Sequence, residues 1–310
     1  MKELNKGFVP VMLTPFDSQG VIDYSGLEQL TTFYLEAGAS ALFANCLSSE
    51  MFALTSQERL SITKHIVDVT KGHVPVVASG TFEGSVESQA DFVKAIYDTG
   101  VQAVIIITNM MAKEDESDVV FSDRVSALLE LTGQIPLGFY ECPVPYKRII
   151  SPELLGQFIS TERIIYHKDT SLDIHQVRAK IEAGKGYRFG LYDAYMAHAV
   201  ESLASGAAGL SCIQGNYFPE LIVWLCENYH IPHLKPEIQK LQQFLVDKME
   251  IMHKAYPSVA KYYLQKRGLN ISTTTRGKAE GFTAEVKKDI DDFFLDCIRL
   301  QEELEIGLVI

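Results

Sequence analysis

The chain has 310 residues, with 28 Lys plus Arg against 40 Asp plus Glu, a formal net charge of −12, and 47% hydrophobic residues. Such apolar content supports a large core and argues against long disordered or fibrous stretches. The short basic groups, such as Lys147-Arg148 and Lys266-Arg267, are isolated, whereas phosphate neutralisation needs clustered Lys and Arg, so no nucleic-acid partner is expected.

Apolar runs such as Leu221 to Cys226 are far shorter than the roughly 20 residues that span a bilayer, so no membrane partner is expected either. Met1 to Gly7 is polar and shows no leader pattern, and the five cysteines (Cys46, Cys142, Cys212, Cys226, Cys297) are widely spaced without a C-x-x-C pair. Both features fit a cytoplasmic protein with reduced thiols and no structural metal.

In chain order, short β-branched or apolar runs recur near Phe8, Ala41, Pro75, Ala103, Pro136, Ile164, Tyr187 and Ala208. Their spacing averages about 29 residues, close to one βα unit each. Helix starts lie between them: Asp23-Tyr24-Ser25 opens a helix ending at Gly38, Thr55-Ser56-Gln57-Glu58 is a capping box, and Ser151-Pro152-Glu153 joins an N-cap to a first-turn proline. Eight such units predict an α/β fold, a (β/α)8 TIM barrel over residues 1–219. Beyond Pro219 the pattern is helical: Pro219 to Asn228, Lys235 to about Lys266 with a break near Pro257, and Glu285 to Glu303. This C-terminal helical region, 220–310, has no linker before it and is expected to pack on the barrel.

A (β/α)8 barrel carries its chemistry at the C-terminal ends of its strands. The polar residues expected there are Thr14, Asn45 to Glu50, Ser79 to Thr81, Thr108-Asn109, Tyr140-Glu141, His167-Lys168-Asp169, a strand ending near Gly190, and Ser211-Cys212. Lys168 follows Ile164-Ile165-Tyr166-His167, which aims its amine at the barrel mouth. A desolvated lysine loses its proton more readily, and the neutral amine attacks carbonyl carbon. Position alone leaves open a second reading, an ion pair with Asp169. Tyr140 ends the neighbouring strand, where its phenol is either an acid/base for Lys168 or a core aromatic with a rim hydroxyl. Ser48-Ser49 lies in a strand-to-helix loop suited to holding a carboxylate, and equally to ordinary capping. No P-loop, G-x-G-x-x-G, H-E-x-x-H or G-x-S-x-G is present.

Placed in order, these segments make the chain resemble the dihydrodipicolinate synthase / N-acetylneuraminate lyase family of pyruvate-handling class I aldolases. The similarity rests on Val11-Met12-Leu13-Thr14-Pro15-Phe16, Cys46-Leu47-Ser48-Ser49-Glu50, Tyr140-Glu141-Cys142-Pro143, Ile164 to Ser171, and Gly206-Ala207-Ala208-Gly209 with the later Asn216. The resemblance implies that Lys168 forms an imine with pyruvate or a 2-oxo acid, that Tyr140 is the acid/base, and that Ser48, adjoined by Ser49, holds the carboxylate. It also implies that the backbone around Ser211 lines the pyruvate site, that no cofactor is needed, and that the protein is a homotetramer or dimer.

Departures from the family pattern bear on the substrate. Leu47 replaces the first loop hydroxyl, Met110-Met111 replaces a tyrosine pair, and the arginine that the synthase uses for its second substrate's carboxylate falls on Pro145, with Lys147 or Arg148 as possible substitutes. Cleavage of a sugar acid or another 2-oxo acid is therefore favoured over 4-hydroxy-tetrahydrodipicolinate synthase activity. The alternative from a different class is a catalytically inactive barrel that binds a 2-oxo acid.

Overall fold

Short apolar strands alternating with amphipathic helices leave the chain one economical arrangement, parallel strands buried on both faces with the helices outside. The computed structural model describes residues 6–277 and 281–309 and has that arrangement. Its strands are β1 (Gly7–Phe8), β2 (Leu42–Ala44), β3 (Val76–Ser79), β4 (Ala103–Ile107), β5 (Leu137–Tyr140), β6 (Ile164–Asp169), β7 (Gly190–Asp193) and β8 (Gly209–Leu210). They form one parallel sheet in the order β1-β8-β7-β6-β5-β4-β3-β2. The extended chain after β1 closes it: Phe43 N–H donates to the Pro10 carbonyl and Met12 N–H to the Phe43 carbonyl, both at 3.0 Å, around a parallel bridge between Val11 and Phe43. The result is a (β/α)8 barrel.

The helices are α1 (Tyr24–Glu36), α2 (Ser56–Thr70), α3 (Val86–Tyr97), a short α4 (Thr108–Met111), α5 (Asp118–Leu131), α6 (Pro152–Ile159), α7 (Ile174–Ala183), α8 (Ala199–Ala204), α9 (Pro219–Asn228), α10 (Lys235–Asp247), α11 (Met249–His253), α12 (Ser258–Lys266) and α13 (Ala284–Glu303). Asp23 caps α1 through the Gly26 N–H. Thr55 and Glu58 cap α2 reciprocally at 2.8 and 3.2 Å. Ser151 caps α6 ahead of Pro152.

Two boundaries differ from the sequence reading. Strand β7 begins at Gly190 and ends at Asp193, later than the aromatic run at Tyr187 suggests, because Tyr187 is exposed and lies before the strand. Helix α9 packs on both β1 and β8, so it is the eighth barrel helix, and a boundary at 219 divides the last βα unit. Helices α10 to α13 follow it, packed through a cluster of Tyr217, Phe218, Phe244, Tyr263 and Phe293. The break near Pro257 lies between α11 and α12.

The β5–β6 pair sets the site. Its register shifts between Leu137, opposite Ile164, and Gly138, opposite Tyr166, so one residue of β6 is left over. That irregularity fixes the phase of the rest of the strand: Tyr166 and Lys168 turn into the barrel, and His167 and Asp169 turn out. Gly138 makes room for it, since a Cβ there would lie 2.7 Å from the Tyr166 Cβ and 2.8 Å from Ile105 Cδ1.

On the outer face, Lys180 of α7 donates to Glu141 Oε1 at 2.6 Å and to Asp169 Oδ2 at 2.7 Å, with all three side chains fully buried. Burial opposes the Lys180 charge, but the two carboxylates outweigh it and hold the ammonium above its ordinary range. Glu141 also accepts from the Ile150 and Thr170 N–H groups at 3.0 and 3.1 Å. The network therefore ties the ends of β5 and β6 to the segments that follow them. Replacing Lys180 with Met strands two buried carboxylates and is expected to cost about 3–5 kcal/mol of stability, read by denaturant unfolding.

Candidate active site

At the C-terminal ends of the strands lies a cavity of about 640 Å³, lined by Lys168, Tyr140, Ser48 and Ser211 together with residues of the C-terminal region, among them Met249, His253 and Tyr256. Lys168 forms part of its floor and is only 5% exposed. Its direct neighbour in the sheet register is Tyr140, whose ring centroid lies 4.4 Å from Lys168 Nζ. The Phe43 ring packs edge-on against Tyr140 with centroids 5.6 Å apart.

Asp169 is not the counter-ion of Lys168, because strand alternation sends its carboxylate to Lys180 on the other face. Among the described residues no carboxylate is paired with Lys168. Desolvation therefore dominates and lowers the Lys168 pKa from its ordinary value. Burial acts oppositely on Tyr140, pushing its phenol well above the ordinary range, with the Cys142 and Cys46 thiols adding to the effect. The floor thus holds an amine biased toward its neutral form beside a phenol that keeps its proton. The first can attack a carbonyl carbon, and the second can protonate the oxygen that is released.

The loop after β2 forms one wall. Ser48 reaches the cavity and accepts a hydrogen bond from the Tyr256 hydroxyl at 2.7 Å. Ser49 does not join it, contrary to the sequence expectation. Its hydroxyl donates to the Met12 carbonyl at 2.6 Å and its N–H to the Cys46 carbonyl at 3.0 Å, so both of its donors are spent inside the fold. The tight turn of residues 47–49 puts adjacent serines on opposite sides of the loop. Glu50 follows with φ +56° and binds the C-terminal region, accepting from Lys261 Nζ at 3.1 Å and from the Arg276 and Gly277 N–H groups at 2.7 and 2.9 Å. Arg276 also pairs with Glu58 at 2.7 Å. Ser211, just beyond β8, donates its N–H to the Asp193 carbonyl at 2.8 Å.

The suggested substitutes for the missing arginine lie elsewhere. Lys147 Nζ donates to the Thr170 carbonyl at 2.8 Å. Arg148 pairs with Asp118 at 2.8 Å and donates to the carbonyls of Lys113 and Glu116. Among the described residues Lys168 is the one Lys or Arg lining the cavity. Glu141, His167 and Asp169 present ligand atoms close enough together for a metal ion, but the Lys180 ammonium already occupies the place between the carboxylates.

Residues 4–292 match the model of the dihydrodipicolinate synthetase family. The chain belongs to that family. As a member it is an enzyme of the pyruvate-dependent class I aldolase type. Curated relatives include the 4-hydroxy-tetrahydrodipicolinate synthases of Pseudomonas aeruginosa, 27% identical over 71% of this chain and 74% of that one, and of Saccharophagus degradans, 25% identical over 72% and 75%. Among solved structures, the fold matches a dihydrodipicolinate synthase from Bacillus anthracis with a TM-score of 0.84 at 23% identity, covering 95% of this chain and 99% of that one. It also matches a prophage protein of the family from E. coli K12, solved in complex with pyruvate, with a TM-score of 0.85 at 20% identity over 95% and 99%.

Sequence reasoning missed Tyr256 and the other C-terminal residues of the cavity wall. The only local signal at Tyr256 was the helix break at Pro257, which says that the chain turns there and not what the turn faces.

Two outcomes follow from this geometry. Ser48→Ala should weaken pyruvate binding roughly five- to tenfold with little change in melting temperature, as expected for the loss of one hydrogen bond worth about 1 kcal/mol net; Ser49→Ala should lower the melting temperature and leave binding near that of the wild type. Because the Lys168 pKa is lowered, its neutral fraction rises with pH earlier than that of an exposed lysine. The rate of imine trapping should accordingly climb and level off below the ordinary lysine range, and a profile still rising there contradicts a desolvated amine.

Proposed function

We propose that Lys168 forms an imine with pyruvate or another 2-oxo acid, that Tyr140 shuttles the protons, and that Ser48 and the backbone near Ser211 hold the carboxylate. The observation that carries this reading is the Lys168–Tyr140 pair, side by side in register on the floor of a cavity with no carboxylate against the amine. The neutral amine adds to the C2 carbonyl and the phenol protonates the oxygen. The phenolate takes a proton from the new ammonium nitrogen and hands it to the carbinol hydroxyl, which leaves as water while the nitrogen lone pair completes the C=N bond. The resulting iminium withdraws electrons from the C3–C4 bond, so that, as the Tyr140 phenolate takes the C4 hydroxyl proton, cleavage yields an enamine and an aldehyde, and the reverse sequence condenses them.

The acceptor side favours an uncharged aldehyde. Leu47, Phe52, Leu172 and Met249 line the cavity, and Lys147 and Arg148 are engaged with backbone and Asp118. A carboxylate-bearing second substrate would find no lysine or arginine in the cavity besides Lys168 among the described residues, which supports a lyase reaction over lysine-pathway synthesis. The five cysteines are free, and no helix among the described residues is long and apolar enough to cross a membrane. Both fit the cytoplasmic location we assign, and family membership supports a homotetramer or dimer.

Borohydride added with pyruvate is expected to leave a stable adduct on Lys168, found by peptide mass spectrometry and absent in Lys168→Ala. An unmodified Lys168 would sink the mechanism. A coupled assay over 2-oxo acids is expected to show pyruvate release from substrates lacking a second carboxylate, whereas synthase turnover as the fastest reaction would reverse the substrate assignment.

A further inference from the structure

Tyr256 lies between α11 and α12 in the C-terminal helical region, yet it stands at the end of a hydrogen-bond chain whose direction is fixed at every link. The Val11 carbonyl can only accept, so the Asn216 atom facing it at 3.0 Å is Nδ2. The second proton of that nitrogen goes to the Tyr256 oxygen at 2.6 Å. Asn216 Oδ1 then faces the Tyr34 hydroxyl, which donates to it. Having accepted from Asn216, the Tyr256 phenol gives its own proton to Ser48 Oγ at 2.7 Å. Ser48 is left with its hydroxyl proton, for which no protein acceptor lies among the described residues, on the wall of the cavity that holds Lys168.

From this chain we infer that Tyr256 is a positioning residue for the substrate carboxylate: by occupying the Ser48 oxygen as donor, it forces the Ser48 proton toward the ligand and strengthens that proton as a donor. The inference rests on the 2-oxo acid reading of the site and adds to it a residue from outside the barrel strands and their loops. A hydroxyl in water turns freely between donating and accepting. Ser48 in this chain has one role left, and hydrogen bonds in series polarise one another. Leu47 supplies no hydroxyl in the same loop, so the donor that Tyr256 aims is the one the loop offers through a side chain. Tyr256 also lines the cavity itself, and with Glu50 holding residues 276 and 277 by their N–H groups, the C-terminal region meets the loop after β2 at two places.

The test is pyruvate affinity by titration calorimetry on the full chain, for the wild type, Tyr256→Phe, Ser48→Ala and the double variant, with melting temperature alongside. Tyr256→Phe removes only the hydroxyl, and pyruvate affinity should fall roughly five- to tenfold. Ser48→Ala should fall by a similar factor, and the double variant no further than the weaker single, because both changes disable one donor. Tyr34→Phe, outside the cavity, frees the Asn216 amide to turn and should weaken pyruvate in the same direction by about two- to threefold. That variant keeps the inference testable if Tyr256→Phe does not fold. Wild-type affinity in Tyr256→Phe, or a double variant whose loss is the product of the two single losses, overturns the inference, as does wild-type affinity in Tyr34→Phe should it be the variant that folds. Calorimetry reads carboxylate binding whether or not an imine forms. Borohydride trapping at saturating pyruvate is run in parallel: loss of trapping with the affinity pattern intact rejects the aldolase reading and leaves Tyr256 in place, while intact trapping with unchanged affinity rejects Tyr256 alone.

Discussion

The alternation of side chains along β6 is the constraint on which the rest of this site depends. Three consecutive residues, His167, Lys168 and Asp169, are all buried, and the pleat sends the middle one into the barrel and the outer two against the helices. Lys168 is thereby separated from the carboxylate next to it in sequence. It keeps a desolvated amine, while Asp169 finds Lys180 on the far side of the strand. Two buried lysines in one small region are pushed in opposite directions, Lys180 toward the charged form by two carboxylates that outweigh its burial and Lys168 toward the neutral form by burial with no carboxylate to oppose it. A single strand thus separates a structural cation from a reactive amine.

That separation is supported from three sides. The extra residue between β5 and β6 sets the phase, and Gly138 leaves space for the Tyr166 side chain that the shift brings inward. The Glu141–Lys180–Asp169 network holds the strand ends where Tyr140 and Lys168 face each other. The C-terminal region closes over the mouth, fixed by Glu50 and Glu58 to the segment around Arg276. The second and third supports use buried or partly buried charge, and their partners are hydrogen-bonded, as groups withdrawn from water require.

Much of the architecture is legible along the chain because it arises from local physics. N-caps at Asp23, Thr55 and Ser151 satisfy the first amides of their helices by short-range hydrogen bonds, and these are visible as residue spacing. Buried parallel strands show as apolar runs of characteristic length. The misplacement of β7 has the same origin: apolar and aromatic residues near Tyr187 imitate a strand, whereas the real one ends in polar Asp193. The two serines of the β2 loop are alike in sequence, and only the turn between them shows that Ser49 binds the Met12 carbonyl while Ser48 faces the cavity.

The sequence by itself determined the order of the elements, the barrel they build, and the presence of a lysine and a tyrosine at neighbouring strand ends, because each follows from side chains acting on their own segment. The tertiary structure alone decided which face of β6 each residue occupies, since one residue left over in the β5–β6 register reverses the phase and no local pattern records it. It also decided that Tyr256 meets Ser48 across 208 positions of chain, a contact produced by packing a helical region onto the barrel mouth and therefore invisible to spacing, propensity or charge.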